Sequence, residues 1–115
     1  MSDLHELEVS AAKHQSLFRE VNERVHTLST TAWEQVPRIN FICECADAEC
    51  SVPLSVSGEE YESIRANPAR FLVAAGHLVA GVEIVVDKND RFWTVEKTGD
   101  ARAAAKALDP RRRHG

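Results

Sequence analysis

The opening stretch places its apolar residues at alternating steps of three and four: Leu4, Leu7, Ala11, His14, Phe18, Val21, Val25 and Leu28, with His14 the one polar member. This spacing predicts a helix over residues 1–30 with a narrow seam of coiled-coil type. Asp3 and Glu6 stand at capping-box spacing, and Leu17 widens the seam in its middle. At 1.5 Å per residue, about 25 helical residues span ~38 Å, more than so small a domain needs. The seam has two uses open to it: packing on the chain's own sheet, or pairing with a second copy or a partner helix. Glu20 and Arg24 add an exposed pair at helical spacing.

After Ser29-Thr30-Thr31 the period changes. Trp33 and Pro37 fall in a connection, where Trp33 reads as a cover over the core edge. From Arg38 to Cys45 the alternation is that of a strand, with Ile39, Phe41 and Cys43 on one face and Asn40, Ile42 and Glu44 on the other. Ser51–Val56 reads as its return, and Pro53 makes that an edge strand. Ser57 and Glu60 form a second capping box, opening a helix with Tyr61 and Ile64 that stops at Asn67-Pro68. Phe71-Leu72-Val73 is a short strand. Residues 82–86 and 92–96 form a hairpin turned by Lys88-Asn89-Asp90. Asp100 is placed to cap a last helix from Ala101 to Leu108, ended by Asp109-Pro110.

The order of helix, hairpin, helix, strand, hairpin, helix predicts an α+β fold: a long N-terminal helix followed by a small, mainly antiparallel sheet. The units are a helix at 1–30, an α+β domain at 36–110 and a basic tail at 111–115, Arg111-Arg112-Arg113-His114-Gly115. A length of 115 residues suits one domain. The net charge of -4 disfavours broad binding to nucleic acid or anionic membranes. No apolar run approaches the ~20 residues of a membrane span. The N-terminus carries acid where a signal peptide carries positive charge, so the expectation is a cytoplasmic chain whose thiols stay reduced.

That expectation bears on Cys43, Cys45 and Cys50, which hold all the sulfhydryl chemistry of the chain. Residues two apart on a strand share a face, so Cys43 and Cys45 present both sulfurs on one side, and the turn returns Cys50 opposite them. Thiolates converging in this way suit zinc, or iron, over magnesium or calcium. The hairpin therefore reads as a zinc knuckle. A structural zinc site takes four ligands, and the fourth is assigned to His77, which follows Gly76 in a loop between sheet elements. Asp47, Glu49 or water are the alternatives. His5 and His26 fall on the outer face of the first helix, His14 in the seam and His114 in the tail. Two other readings stand beside the metal: buried cysteines serving as small hydrophobes, and a thiol switch in which Cys50 forms a disulfide with one of its neighbours.

The pattern Phe41-x-Cys43-Glu44-Cys45 with Cys50, Glu59-Glu60-Tyr61-Glu62, Arg65, Pro68-x-Arg70-Phe71, Gly76-His77, Glu83 and Val95-Glu96-Lys97-x-Gly99, together with Val21-Asn22-Glu23-Arg24-Val25, resembles an uncharacterised family of small proteins from high-GC bacteria. The resemblance covers most of residues 19–110. It implies that Gly-His recurs with the three cysteines, and it brings no activity with it. Leu78 departs from the polar residue expected after Gly76-His77.

No other catalytic order is evident: there is no Ser-His-Asp arrangement and no phosphate-cradling glycine loop. The deaminase pattern of His-x-Glu with Pro-Cys-x-x-Cys is absent. Three thiolates make zinc a poor Lewis acid. Glu44, Glu49, Glu59, Glu60, Glu62 and Glu83 read mostly as solvated surface, and Arg65 and Arg70 as partners of nearby glutamates. The expected function is a non-catalytic, zinc-stabilised binding module, regulatory in role, acting through protein contact or homodimerisation by the N-terminal helix. The alternative is a thiol or zinc redox sensor; a small metal-dependent enzyme or a nucleic-acid binder is less favoured.

Overall fold

Alternating burial sets the strands and capping sets the second helix. A computed structural model describes residues 2–32, 37–47 and 49–111, with side chains of the first helix described over 13–28. The elements are α1 (Ser2–Ala32), β1 (Ile39–Ile42), β2 (Pro53–Val56), α2 (Gly58–Arg65), β3 (Arg70–Val73), β4 (Glu83–Lys88), β5 (Trp93–Lys97) and α3 (Gly99–Ala107). The fold is α+β. The Asp3–Glu6 box, the seam positions Leu4, Leu7 and Ala11, His5, Trp33 and the tail beyond Arg111 lie outside the described residues or side chains.

The pairing is antiparallel throughout. β1 meets β2 with Phe41 opposite Leu54 and Ile39 opposite Val56. β5 lies between β3 and β4, with Phe71 opposite Val95. The two-stranded and three-stranded sheets are joined where the Glu44 N–H donates to the Leu72 carbonyl at 2.7 Å, just past the end of β1. β4 is an outer strand broken by an irregularity between Val85 and Asp87, a common way of blunting a sheet edge. In α2 the capping box forms as expected, with both reciprocal Ser57–Glu60 bonds. α3 differs: Thr98 is its N-cap, without a side-chain cap bond, and Asp100 lies within the first turn.

Phe41, Leu54, Val56, Tyr61, Ile64, Phe71, Leu72, Val73, Phe92, Val95 and Ala105 bury one another in a single cluster. Phe41 stacks on Tyr61 with ring centroids 4.4 Å apart. At ~1.5–3 kcal/mol for each large apolar side chain buried, this cluster is the main stabilising term of the domain.

The first helix docks by different means. Among its described side chains the buried ones are Gln15, Ser16, Arg19 and Asn22, none of them from the apolar seam. Among seam members with described side chains, His14, Phe18 and Val25 are half-buried, whereas Val21 is 47% exposed and Leu28 68%, beside Leu17 at 58%. The reason lies in what the helix meets, which is strand backbone with free polar groups. Asn22 accepts from the Ile42 N–H at 2.9 Å and donates to the Ile42 carbonyl at 2.8 Å, as a neighbouring strand would. Arg19 lies 3.7 Å above the Phe71 ring and donates to the carbonyls of Pro68 and Arg70 at 2.9 and 2.6 Å. Burial, then the nearby charge of Arg65, pushes the Arg19 guanidinium down to about 10.

His26, expected on the outer face, is turned toward the body. It lies 5.5 Å from the Tyr61 ring and bonds Glu62 at 2.9 Å. Arg65 reaches Glu23 at 2.6 Å and also pairs with Asp109. Arg70 pairs with Glu96 at 2.9 Å. Arg111 reaches Glu23 at 2.8 Å and Glu62 at 2.6 Å, tying the end of the described chain to α1 and α2. No helix among the described residues is long and apolar enough to cross a membrane.

Candidate metal centre

β1 carries Phe41 inward, and the chain continues past its end far enough to bring Cys43 and Cys45 to one site. Cys43 is held in place by donating its N–H to the Val52 carbonyl at 2.9 Å. Residues 47–50 then form a tight turn: Cys50 N–H donates to the Asp47 carbonyl at 3.1 Å, and Glu49 N–H to Asp47 Oδ1 at 2.9 Å. Asp47 and Glu49 are exposed, and the Asp47 side chain is engaged by the turn itself. The fourth group comes from the far side of the fold. Gly76 adopts a φ of 83°, the left-handed region that glycine enters without strain, and the His77 N–H closes the turn on the Ala74 carbonyl at 2.9 Å.

Cys43, Cys45, Cys50 and His77 come together, with ligand atoms all within 4.8 Å of one another. His77 Nδ1 lies 3.6 Å from Cys43 Sγ and 3.7 Å from Cys50 Sγ. A tetrahedral ion with sulfur at ~2.3 Å and nitrogen at ~2.05 Å would hold those atoms about 3.6 Å apart. The His77 nitrogen and the Cys43 and Cys50 sulfurs are therefore already spaced as such an ion needs. The sequence assigned these four residues to one site, and they meet in one cluster, a candidate metal-ion site.

The electrostatics show what a cation would contribute. Burial pushes the Cys43 thiol well above its ordinary range, and the neighbouring Cys45 adds to the shift. Burial also raises the Cys45 thiol. Without a positive charge beside them the Cys43 and Cys45 thiols hold their protons; a cation reverses that preference. Backbone donors assist, with the Ala74 N–H 3.2 Å from Cys43 Sγ and the Asp47 N–H turned to the Cys45 sulfur.

Two carboxylates expected on the surface are instead buried beneath the site. Glu44, between the ligands Cys43 and Cys45, points to the opposite face and is fully enclosed. Its carboxylate accepts from Asn22 Nδ2 at 2.8 Å, the Leu72 N–H at 3.0 Å and the Tyr61 hydroxyl at 3.2 Å. Burial raises its pKa above the usual carboxylate range, opposed by the charge of Arg19 and by the bonds from Asn22 and Leu72. Glu83 meets Lys97 at 2.7 Å and accepts the Val79 N–H at 2.6 Å, anchoring the loop that carries His77.

Gln15 of α1 joins the two halves. Its Nε2 donates both to the Glu44 carbonyl in the knuckle, at 3.1 Å, and to Glu83 Oε2, at 2.8 Å, beneath the His77 loop. Sequence reasoning missed Gln15 because nothing in its local pattern marks it. Groups that orient ligands typically change metal affinity by ~10–100-fold when removed. Gln15→Met fills the same volume without either bond. It is expected to weaken metal binding by about 10-fold or more, measured by competition with a chromophoric chelator; unchanged affinity would show that the two loops hold their geometry unaided.

Comparisons with protein-family models, curated proteins and solved structures found no match.

Proposed function

We propose that this protein is a non-catalytic, zinc-stabilised binding module that acts through protein contact. The observation that carries the reading is the convergence of Cys43, Cys45, Cys50 and His77 from two separate loops, with nitrogen and sulfur at tetrahedral spacing. Three sulfurs and one imidazole make a closed set of the structural kind, and soft donors favour zinc over magnesium or calcium. The role of the metal in this reading is to fix the knuckle and the His77 loop to each other, since neither contains a regular element across the site.

Protein contact through α1 is supported by its exposed Leu17, Val21 and Leu28, which lie on the side away from the polar docked face. A second copy of the chain is the simplest partner for that stripe, and a regulatory role follows if docking depends on the metal. Zinc titration into metal-free, reduced protein tests the first part. Melting should rise and saturate at one equivalent; no rise would contradict a structural metal. Sedimentation of wild type against Leu17→Lys tests the second: a dimer dispersed by the substitution supports self-contact, and a monomer at all concentrations removes it.

A further inference from the structure

The cysteines of the candidate site differ in how firmly they are held. Cys43 is fully buried, paired through its backbone to Val52, and its sulfur receives the Ala74 N–H. Cys45 is also buried, but it stands beyond the last backbone pair of the hairpin. Cys50 is partly exposed, at the end of a turn whose described backbone bonds run between Asp47 and Glu49 or Cys50, and its sulfur lies 3.7 Å from His77 Nδ1.

Susceptibility of a thiolate to oxidants follows its exposure and its electron density. Cys50 is the most exposed cysteine of the set and thus the most open to an oxidant. Cys45 is the natural second sulfur. It leads directly into the short turn that ends at Cys50, so the two can approach by moving the turn, whereas Cys43 is held by Val52 and Ala74. A bond between Cys43 and Cys45 would be strained by their single-residue separation.

We propose that Cys50 is a peroxide-reactive modification site and that Cys45 resolves it, releasing the metal through a Cys45–Cys50 disulfide. The inference rests on the zinc reading above. In the first step the Cys50 thiolate attacks one oxygen of hydrogen peroxide, the O–O bond breaks, and the departing hydroxide takes a solvent proton to become water. Cys50 is left as a sulfenic acid. The Cys45 sulfur then attacks the Cys50 sulfur, the S–O bond breaks, and a second hydroxide is protonated to water. Two thiolates, one peroxide and two protons give one disulfide and two waters. Zinc undergoes no change of oxidation state. It leaves because Cys43 and His77 alone do not complete a tetrahedral site.

The test uses the full chain loaded with zinc and treated with substoichiometric hydrogen peroxide. Released metal is read with a chromophoric indicator, and thiols are mapped by differential alkylation and mass spectrometry. The expected result is one zinc released per disulfide formed, the disulfide joining Cys45 and Cys50, Cys43 recovered as a free thiol, and zinc rebinding after treatment with a dithiol. A loaded protein that keeps its zinc under peroxide, or whose disulfide includes Cys43, overturns this inference and leaves the zinc reading intact. A protein that takes up no zinc overturns both.

Discussion

Cys43→Ser is expected to abolish tight zinc binding and to leave the protein melting, in the presence of zinc, where the metal-free wild type melts. Cys43 is the ligand most deeply set in the fold: its backbone closes the hairpin and its sulfur touches both His77 and the Ala74 N–H. Serine keeps the backbone bond but offers a hard, protonated oxygen in place of a thiolate. A ligand that binds only the folded state at 1,000 times its dissociation constant stabilises by about 4 kcal/mol. Losing that contribution from a domain of this size lowers the melting temperature by roughly 10–25 °C. The matched control is Cys43→Ser without zinc, which should differ little from metal-free wild type. Scanning calorimetry of the four samples checks the result. A variant that still gains stability from one equivalent of zinc would remove Cys43 from the site.

The second large effect concerns Glu44. Glu44→Leu should bring the chain close to unfolding, whether or not metal is present. The carboxylate satisfies three donors, from Asn22, Tyr61 and Leu72, which belong to α1, α2 and β3. Leucine strands the Leu72 N–H and the Tyr61 hydroxyl, takes one of the two bonds of Asn22 Nδ2, and removes a negative charge facing Arg19. Uncompensated buried charges cost about 3–5 kcal/mol when one partner is deleted, against a total stability of roughly 5–15 kcal/mol for a typical domain. Glu44→Gln is the informative companion. It retains one acceptor oxygen and turns the other position into a donor facing donors, an expected loss of about 1–3 kcal/mol. Urea unfolding of both variants in the zinc-loaded form orders them. Equal, small losses would mean that α1 and the knuckle are held by the apolar cluster alone.

Both effects come from one short stretch whose alternation serves two faces. Cys43 and Cys45 turn their sulfurs to the candidate metal site, and Glu44 turns its carboxylate to the elements that enclose it. The site and the core are thus fixed by the same strand.

The capping box at Ser57 and Glu60, the two hairpins and the gathering of Cys43, Cys45, Cys50 and His77 were legible from residue type and spacing, because each depends on local geometry or on few rare side chains. The docking of α1 was not. Its apolar seam is the strongest periodic signal in the chain, yet Gln15, Arg19 and Asn22 carry the contact through bonds to strand backbone. Hydrophobic periodicity cannot register a helix that meets the edge groups of a sheet. Glu44 is different, since a signal was available. Once Phe41, Cys43 and Cys45 share one face, alternation assigns Glu44 to the face of Ile42, which is where α1 lies. Reading it as solvated followed from its charge alone. Glu83 gave no such clue, as its partner Lys97 is distant in sequence and pairs through the β4–β5 register.

The central claim is a zinc ion held by Cys43, Cys45, Cys50 and His77. X-ray absorption at the zinc edge tests it most directly, on protein purified under reducing conditions without chelator and with its metal content measured alongside. The account predicts one zinc per chain, with three sulfurs at ~2.3 Å and one nitrogen at ~2.0–2.1 Å, the nitrogen lost in His77→Ala. Absence of zinc, or a shell of oxygen and nitrogen only, would contradict it.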